Sequence, residues 1–134
     1  MSAWTGKKCD RCGGNKGKKY VNYKYCGTCT FKVNKERSKN AHDKAVERRY
    51  GITGKDYWDL YAFQGGACYI CGWATGKSRR LTVDHDHKTG LVRGLLCRPC
   101  NTYLGVIRDS IEAAERLVEF LKNPPFQSMI SSKD

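Results

Sequence analysis

The sequence predicts a small α+β protein in which one short β-hairpin is combined with several helices. The hairpin is indicated by two β-forming runs between Leu81 and Leu96, separated by Lys88-Thr89-Gly90, a segment typical of a turn. The helices are indicated by apolar residues at helical spacing and by capping patterns on both sides of the hairpin. Eight cysteines in 134 residues indicate that this small core is also cross-linked.

The cysteines form four C-x-x-C pairs, which are Cys9/Cys12, Cys26/Cys29, Cys68/Cys71 and Cys97/Cys100. This regularity is typical of zinc sites and uncommon in disulfide frameworks, which are the alternative. The chain has no apolar signal segment and no membrane-spanning run, so we expect a cytoplasmic protein. The sequence therefore predicts two Zn²⁺ sites, each closed by four cysteines and hence structural.

Positive charge is concentrated in the first part of the chain. Residues 1–50 carry a net charge of +10, whereas residues 51–134 carry +2. This segregation predicts a polyanionic partner, and nucleic acid is favoured over a merely solvated surface. The candidate DNA-binding residues of the basic half are Lys16, Lys18, Lys19, Lys24, Arg48 and Arg49.

The basic half contains two different patterns. Tyr20 to Tyr25 alternates like a strand, and its aromatic residues either contact nucleic acid or form the small core of a zinc ribbon. The segment that follows is helical with a thin apolar stripe around Ala45, so it either tracks phosphates or joins two zinc modules. We therefore divide the chain into a zinc ribbon (1–30), a basic linker helix (31–50) and a second domain (51–134).

Helices flank the hairpin in this second domain. Thr53-Gly54-Lys55-Asp56 resembles a capping box for a helix that ends near Phe63, and a short helix follows Asn101. A last helix begins at Asp109 or Ser110 and stops at a proline pair, after which we expect a loose tail. Its apolar stripe either packs on the helix before Phe63 or pairs with a second copy of the chain; the stripe consists of Ile111, Ala114, Leu117, Val118 and Leu121.

The hairpin belongs to an ordered series of motifs. The series is Cys68-Tyr69-Ile70-Cys71, Asp84-His85-Asp86-His87, Val92-Arg93-Gly94-Leu95-Leu96-Cys97 and Cys100-Asn101, preceded by Arg49-Tyr50-Gly51-Ile52 and Gln64-Gly65-Gly66-Ala67-Cys68. Over residues 46–122 it resembles the phage recombination endonuclease VII family, one of the HNH (His-Me finger) nucleases. The resemblance implies a zinc-stabilised ββα-metal core and the hydrolysis of phosphodiester bonds in DNA.

The resemblance also implies a role for each polar residue of the motif. Asp84 and Asn101 would hold Mg²⁺ or Mn²⁺, to which hard oxygen ligands are suited, and His85 would activate water as the general base. His87 would hold the phosphate or tune the site. Independently of the resemblance, Asp86 alternates away from Asp84, which favours a residue of the hairpin only. Because the two zinc sites use every cysteine, neither histidine is needed as a zinc ligand.

The predicted function is a Mg²⁺-dependent DNA endonuclease, a phage-type resolvase of Holliday junctions or other branched DNA in recombination. We expect a homodimer, because one such site cuts one strand. Arg93 either clamps a phosphate or pairs with an acidic side chain. The alternatives are an HNH nickase acting on ordinary duplex DNA and a non-catalytic zinc-ribbon protein that binds nucleic acid. The Asp84-His85 pair and Asn101 favour an enzyme, since binding alone requires none of them.

Overall fold

The computed structural model describes residues 6–20 and 22–133, which form two compact units. The first unit ends at Trp58 and the second begins at Asp59. The division at residues 30 and 50 stays a prediction. A 3₁₀ turn (Lys18–Tyr20) precedes the main elements, which are α1 (Gly27–Tyr50), α2 (Gly54–Phe63), β1 (Thr82–His85), β2 (Val92–Leu96), α3 (Arg98–Val106), α4 (Ile111–Lys122) and α5 (Pro125–Ser131).

The strand predicted from Tyr20 to Tyr25 is wrong for the residues that the structure describes; Val21 lies outside them. Tyr20 ends the 3₁₀ turn, and its carbonyl accepts a hydrogen bond from the Tyr23 N–H at 3.0 Å. The buried Lys16 ammonium donates to the Tyr23 carbonyl, so these carbonyls close turns and are not free to pair in a ladder. The first unit is therefore a turn-rich loop that leads directly into a long helix.

A tight elbow connects α1 to α2. Gly51 takes the left-handed conformation (φ 70°) after α1. The predicted capping box is confirmed, because the Thr53 N–H donates to Asp56 Oδ2 at 2.8 Å and the Asp56 N–H donates to Thr53 Oγ1 at 3.0 Å. These bonds to Thr53 lower the pKa of the Asp56 carboxyl. The elbow holds the buried Tyr57 ring against His42, with 4.6 Å between ring centroids.

The second unit is built on the predicted hairpin. β1 and β2 pair antiparallel, with Val83 opposite Leu95. The turn contains Gly90 at φ 73°, in the left-handed region that the sequence predicts for it. The core of the unit is small, and its buried apolar residues are Cys68, Leu81, Val83, Leu95 and Leu96. A core of this size needs support beyond apolar burial.

Three helices follow the hairpin, and α3 packs against β1. Ser110 caps α4, because its hydroxyl accepts a hydrogen bond from the Ala113 N–H at 3.1 Å. The prediction of a loose tail is wrong, because Pro125 opens α5 with the φ that a first helical turn requires. Of the two alternatives for the α4 stripe, burial against the helix that ends near Phe63 is not supported, because most of the stripe stays exposed, at 70% for Ile111 and Leu121. Within the described residues, no helix combines the length and the apolar character needed to cross a membrane.

Candidate active site

Cysteines from two turns and two helix starts form two four-sulfur groups. All four ligand atoms of each group lie within 4.8 Å of one another; the groups are Cys9/Cys12/Cys26/Cys29 and Cys68/Cys71/Cys97/Cys100. The Cys12 and Cys26 sulfurs lie 3.9 Å apart in the first group, and the Cys71 and Cys97 sulfurs lie 3.9 Å apart in the second. A tetrahedral Zn²⁺ with bonds of about 2.3 Å places its sulfurs about 3.8 Å apart, so the geometry fits zinc.

The two groups share one local design. The first pair of each lies in a turn closed by a glycine with positive φ, Gly13 (69°) in one and Gly72 (76°) in the other. The second pair opens a helix, with Cys26 as the N-cap of α1 and Cys97 as the N-cap of α3. Helix N-termini present free amides and positive potential, which favours thiolates. Asn101 lies in α3 directly after Cys100, the last cysteine of the second group.

The sulfurs of each group differ in acidity. Burial raises the pKa of the Cys9 and Cys68 thiols, but backbone N–H donors of their own groups outweigh burial and lower each pKa to about 6. Burial, together with hydrogen bonds to the other sulfurs, raises the pKa of Cys29 and Cys100 to about 12. In each group, a thiol with a lowered pKa therefore lies beside a thiol with a raised pKa. The thiol with the raised pKa would lose its proton next to a positive charge such as a bound divalent metal ion.

Asp86 shapes the hairpin turn. Its Oδ1 accepts hydrogen bonds from the N–H groups of Lys88 (2.8 Å) and Thr89 (2.9 Å). These bonds, led by the one from Thr89, lower the pKa of the Asp86 carboxyl. This arrangement agrees with the expectation that Asp86 is a hairpin residue. The turn also brings the His85 and His87 rings together, with their centroids 4.9 Å apart.

A β-bulge in β2 places the Arg93 side chain beside the Asp84 carboxylate. Asp84 is opposite Gly94 and His85 is opposite Val92, so Arg93 is the extra residue of β2. The Arg93 Nε donates to Asp84 Oδ2 at 2.7 Å, and Nη2 donates to Asp84 Oδ1 at 3.1 Å. Asp84 is only 6% exposed, so this ion pair compensates a buried charge. Of the two roles considered for Arg93, pairing with an acid is the one present.

A second carboxylate shares the same guanidinium. Arg93 Nη2 also donates to Asp109 Oδ1 at 3.1 Å. Hydrogen bonding to Asp84, reinforced by Asp109, raises the pKa of Arg93 above its ordinary value. Asp109 has φ 54° and Arg108 has φ 55°, a left-handed conformation that costs of the order of 1–3 kcal/mol for a residue other than glycine. The sequence identified Asp109 only as a possible helix cap, so its contact with Arg93 was missed.

Gln64 is a further residue that the sequence analysis left without a role. Its Oε1 accepts the Leu95 N–H at 2.8 Å, and its Nε2 donates to the Leu95 carbonyl at 2.9 Å and the Ala67 carbonyl at 3.0 Å. One side chain thus completes the outer edge of β2 as a neighbouring strand would. Gly94 leaves room for it, because a Cβ there would lie 3.2 Å from Oε1. In the sequence, the one signal that Gln64 matters was its position at the start of the Gln64-Gly65-Gly66-Ala67-Cys68 motif.

Asp84 and Arg93 border a largely apolar groove of about 460 Å³ in the second unit. Its apolar side chains come from α2, the first turn of the second cysteine group, β2 and α3; they are Leu60, Phe63, Tyr69, Ile70, Leu96 and Leu104. Asp84 and Asn101 offer carboxylate and amide oxygens, which is the donor chemistry that Mg²⁺ prefers. The residues therefore fit Mg²⁺ in kind, while Arg93 already occupies both oxygens of Asp84.

The basic side chains predicted to meet DNA are in different environments. Most are exposed, namely Lys18, Lys19, Lys24, Arg48 and Arg49. Lys19 and Lys24 lie over the rings of Tyr20 and Tyr25, each 5.7 Å from the ring centroid. Lys16 differs from the expectation: it is 6% exposed and binds a carbonyl of its own loop, so its charge is not available at the surface.

Comparison with known proteins identifies related sequences. The sequence model of recombination endonuclease VII matches residues 43–123. The "Gene 59 protein" of Mycobacterium phage L5 is 50% identical over 109 residues, and that of Mycobacterium phage D29 is 48% identical over 109 residues. Each alignment covers 81% of this chain and 66% of the relative, so this chain spans just under two thirds of those proteins. No solved structure matches.

Proposed function

Because the chain belongs to the recombination endonuclease VII family, we propose that it is a Mg²⁺-dependent DNA endonuclease whose catalytic centre is the β1-β2-α3 unit. The observation that carries the proposal is the position of the Asp84-His85 pair at the end of β1, against which α3 packs with Asn101 in its first turns. A protein that only binds nucleic acid needs none of these three side chains.

His85 is proposed as the general base. A neutral imidazole accepts a proton near pH 7, and His85 is the last residue of β1 that pairs with β2. It would take the proton of the attacking water. His87, whose ring contacts the His85 ring, would hold the phosphate or fix the orientation of His85. Neither histidine is needed as a zinc ligand, since the two four-sulfur groups contain all eight cysteines.

Asp84 and Asn101 would hold the Mg²⁺, or Mn²⁺ in its place. Bound there, the ion supplies positive charge to the phosphate and the leaving oxygen. The two four-sulfur groups would hold structural Zn²⁺, because four thiolates leave no coordination position open for a substrate. The second zinc site would then support Asn101, which directly follows Cys100.

The basic first unit would supply affinity for DNA. Its exposed lysines and arginines can replace the counterions of phosphates, and the lysines above tyrosine rings are presented beside aromatic faces that can stack on bases. Lys16 does not belong to this surface, and Arg93 would reach a phosphate only after leaving its carboxylate partners.

We further propose a homodimer that cuts opposed strands of branched DNA such as a Holliday junction. One catalytic centre cuts one strand, so a junction requires two copies in symmetric register. The exposed apolar side chains of α4 and α5 support this proposal, since unpartnered faces of this kind mark interfaces; they include Ile111, Val118, Leu121, Phe126 and Met129. We therefore propose that α4 and α5 form the contact between the two copies.

A cleavage experiment tests the proposed function. A labelled four-way junction, a duplex of the same sequence and the single strands are incubated with the zinc-loaded chain and Mg²⁺. We expect paired cuts in the junction, with 5′-phosphate and 3′-hydroxyl ends. Single nicks in ordinary duplex by a monomer, judged by light scattering, would support the HNH nickase instead. Binding without any cleavage would support a nucleic-acid-binding protein.

A further inference from the structure

Arg93 lies between two carboxylates that differ in their surroundings. It contacts both oxygens of Asp84, whose side chain is 8% exposed, and one oxygen of Asp109, whose side chain is 32% exposed. Asp84 is also the carboxylate proposed above to hold Mg²⁺. A divalent cation at Asp84 would compete with the Arg93 guanidinium for the same two oxygens and would be repelled by its positive charge, so release of Arg93 from Asp84 favours metal binding.

Asp109 is held in place by its backbone. The Arg108 N–H donates to the Gly105 carbonyl (3.1 Å) and the Asp109 N–H donates to the Leu104 carbonyl (2.9 Å), which together form a Schellman turn at the end of α3. Glycine usually occupies the left-handed position of this turn, but here Arg108 does, and Asp109 is left-handed too. Ser110 starts α4 immediately afterwards, so the carboxylate of Asp109 is presented to Arg93 from a fixed corner.

We propose that Asp109 is a positioning residue that takes the Arg93 guanidinium from Asp84 when Asp84 binds a divalent cation. The inference rests on the Mg²⁺ site proposed above. Arg93 Nη2 already bonds to both carboxylates, so the transfer breaks two contacts to Asp84 while one to Asp109 is kept. The Arg93 side chain is 34% exposed on a β-bulge, which leaves it room to turn.

The charges explain why a second acid is needed. In the described part of the chain, Asp84 and Asp109 form the direct ion pairs with Arg93, and Asp86 adds a weaker charge attraction without a hydrogen bond to it. Without Asp109, the guanidinium would keep Asp84 as its partner and would oppose the incoming cation at close range. With Asp109 present, each cation has a carboxylate after the exchange. Asp109 therefore acts on the metal through Arg93 and not as a ligand.

Binding of Mn²⁺ to the zinc-loaded chain of 134 residues tests this assignment by isothermal titration calorimetry without DNA. Asp109→Asn is a suitable variant, because asparagine tolerates the left-handed conformation and keeps the side-chain shape. We expect it to raise the Kd for Mn²⁺ by roughly fivefold, a typical coupling between groups in contact. Arg93→Gln should lower the Kd, since the competing charge is gone. Glu115→Gln, which also removes one exposed negative charge from this unit, should leave the Kd unchanged.

A double variant separates the proposed route from a direct effect. If Asp109 acts through Arg93, adding Asp109→Asn to Arg93→Gln changes the Kd for Mn²⁺ no further. A wild-type Kd in Asp109→Asn, or the same fivefold loss in the Arg93→Gln background, would overturn the assignment while leaving the metal site standing. If the wild type binds no Mn²⁺, or Asp84→Asn binds it equally well, the proposed metal site itself fails and this inference fails with it.

Discussion

Replacing Gln64 by alanine should destabilise the second unit strongly, although its side-chain hydrogen bonds go to the Ala67 and Leu95 backbone and not to a proposed metal ligand. Leu95 is fully buried, and its N–H has the Gln64 amide as its partner. Loss of that partner leaves a buried donor unsatisfied, at a cost of about 1–3 kcal/mol. The Leu95 carbonyl keeps the Tyr69 N–H at 3.2 Å, so its loss is smaller, about 1 kcal/mol. Together these give about 3 kcal/mol.

The assay is urea and thermal denaturation of the zinc-loaded protein, followed by circular dichroism. In a unit of this size, about 3 kcal/mol lowers the Tm by roughly 12–24 °C. Gln127→Ala is the matched control, because it removes the same side chain from an exposed position on α5 and should change stability by no more than about 0.5 kcal/mol. A change below about 1 kcal/mol in Gln64→Ala would refute the claim that this amide completes the edge of β2.

Three further predictions follow from the cysteine groups, the hairpin turn and the basic half. Metal analysis should give two Zn²⁺ per chain. Cys68→Ser should unfold the second unit, because structural zinc contributes about 10 kcal/mol or more and the free energy of unfolding is only about 5–15 kcal/mol. Cys9→Ser should leave the second unit folded. Asp86→Ala should speed hydrogen exchange of the Lys88 and Thr89 amides roughly tenfold, whereas Asp86→Asn, which keeps an acceptor oxygen, should change it little. Replacing Lys18 and Lys19 by alanine should reduce the log–log salt slope of duplex binding by up to about 1.8, and Lys133→Ala should not alter it.

The sequence predicted those elements whose signals are local. The C-x-x-C pairs need only a tight turn or a helix start, so both four-sulfur groups could be read from spacing. The hairpin and the Thr53/Asp56 capping box likewise depend on residues within a few positions of each other. The family was recognised because its motif residues occur as ordered blocks, and the match to residues 43–123 confirms it.

What the sequence did not predict depends on contacts across the chain. Gln64 is 31 positions from Leu95, and Arg93 is 16 positions from Asp109, so neither bond has a local pattern. Tyr20 to Tyr25 alternates like a strand, but in the part of the chain that the structure describes no strand pairs with it. The Tyr20 carbonyl closes a turn, and the Tyr23 carbonyl accepts from Lys16. The helix α5 was missed because Pro124-Pro125 was taken only as a stop signal, although proline also starts helices.

The central claim, that the end of β1 is the catalytic centre, is tested most directly by the single-turnover cleavage rate of His85→Ala on a four-way junction with Mg²⁺. A general base contributes about 10²–10⁴-fold, so we predict a loss of at least 100-fold, with two bound Zn²⁺ and an unchanged Kd for the junction. The matched control is His42→Ala, a histidine of the first unit, which should cleave at the wild-type rate if it folds. A wild-type rate in His85→Ala, or wild-type cleavage that persists after Mg²⁺ is withheld, would contradict the account.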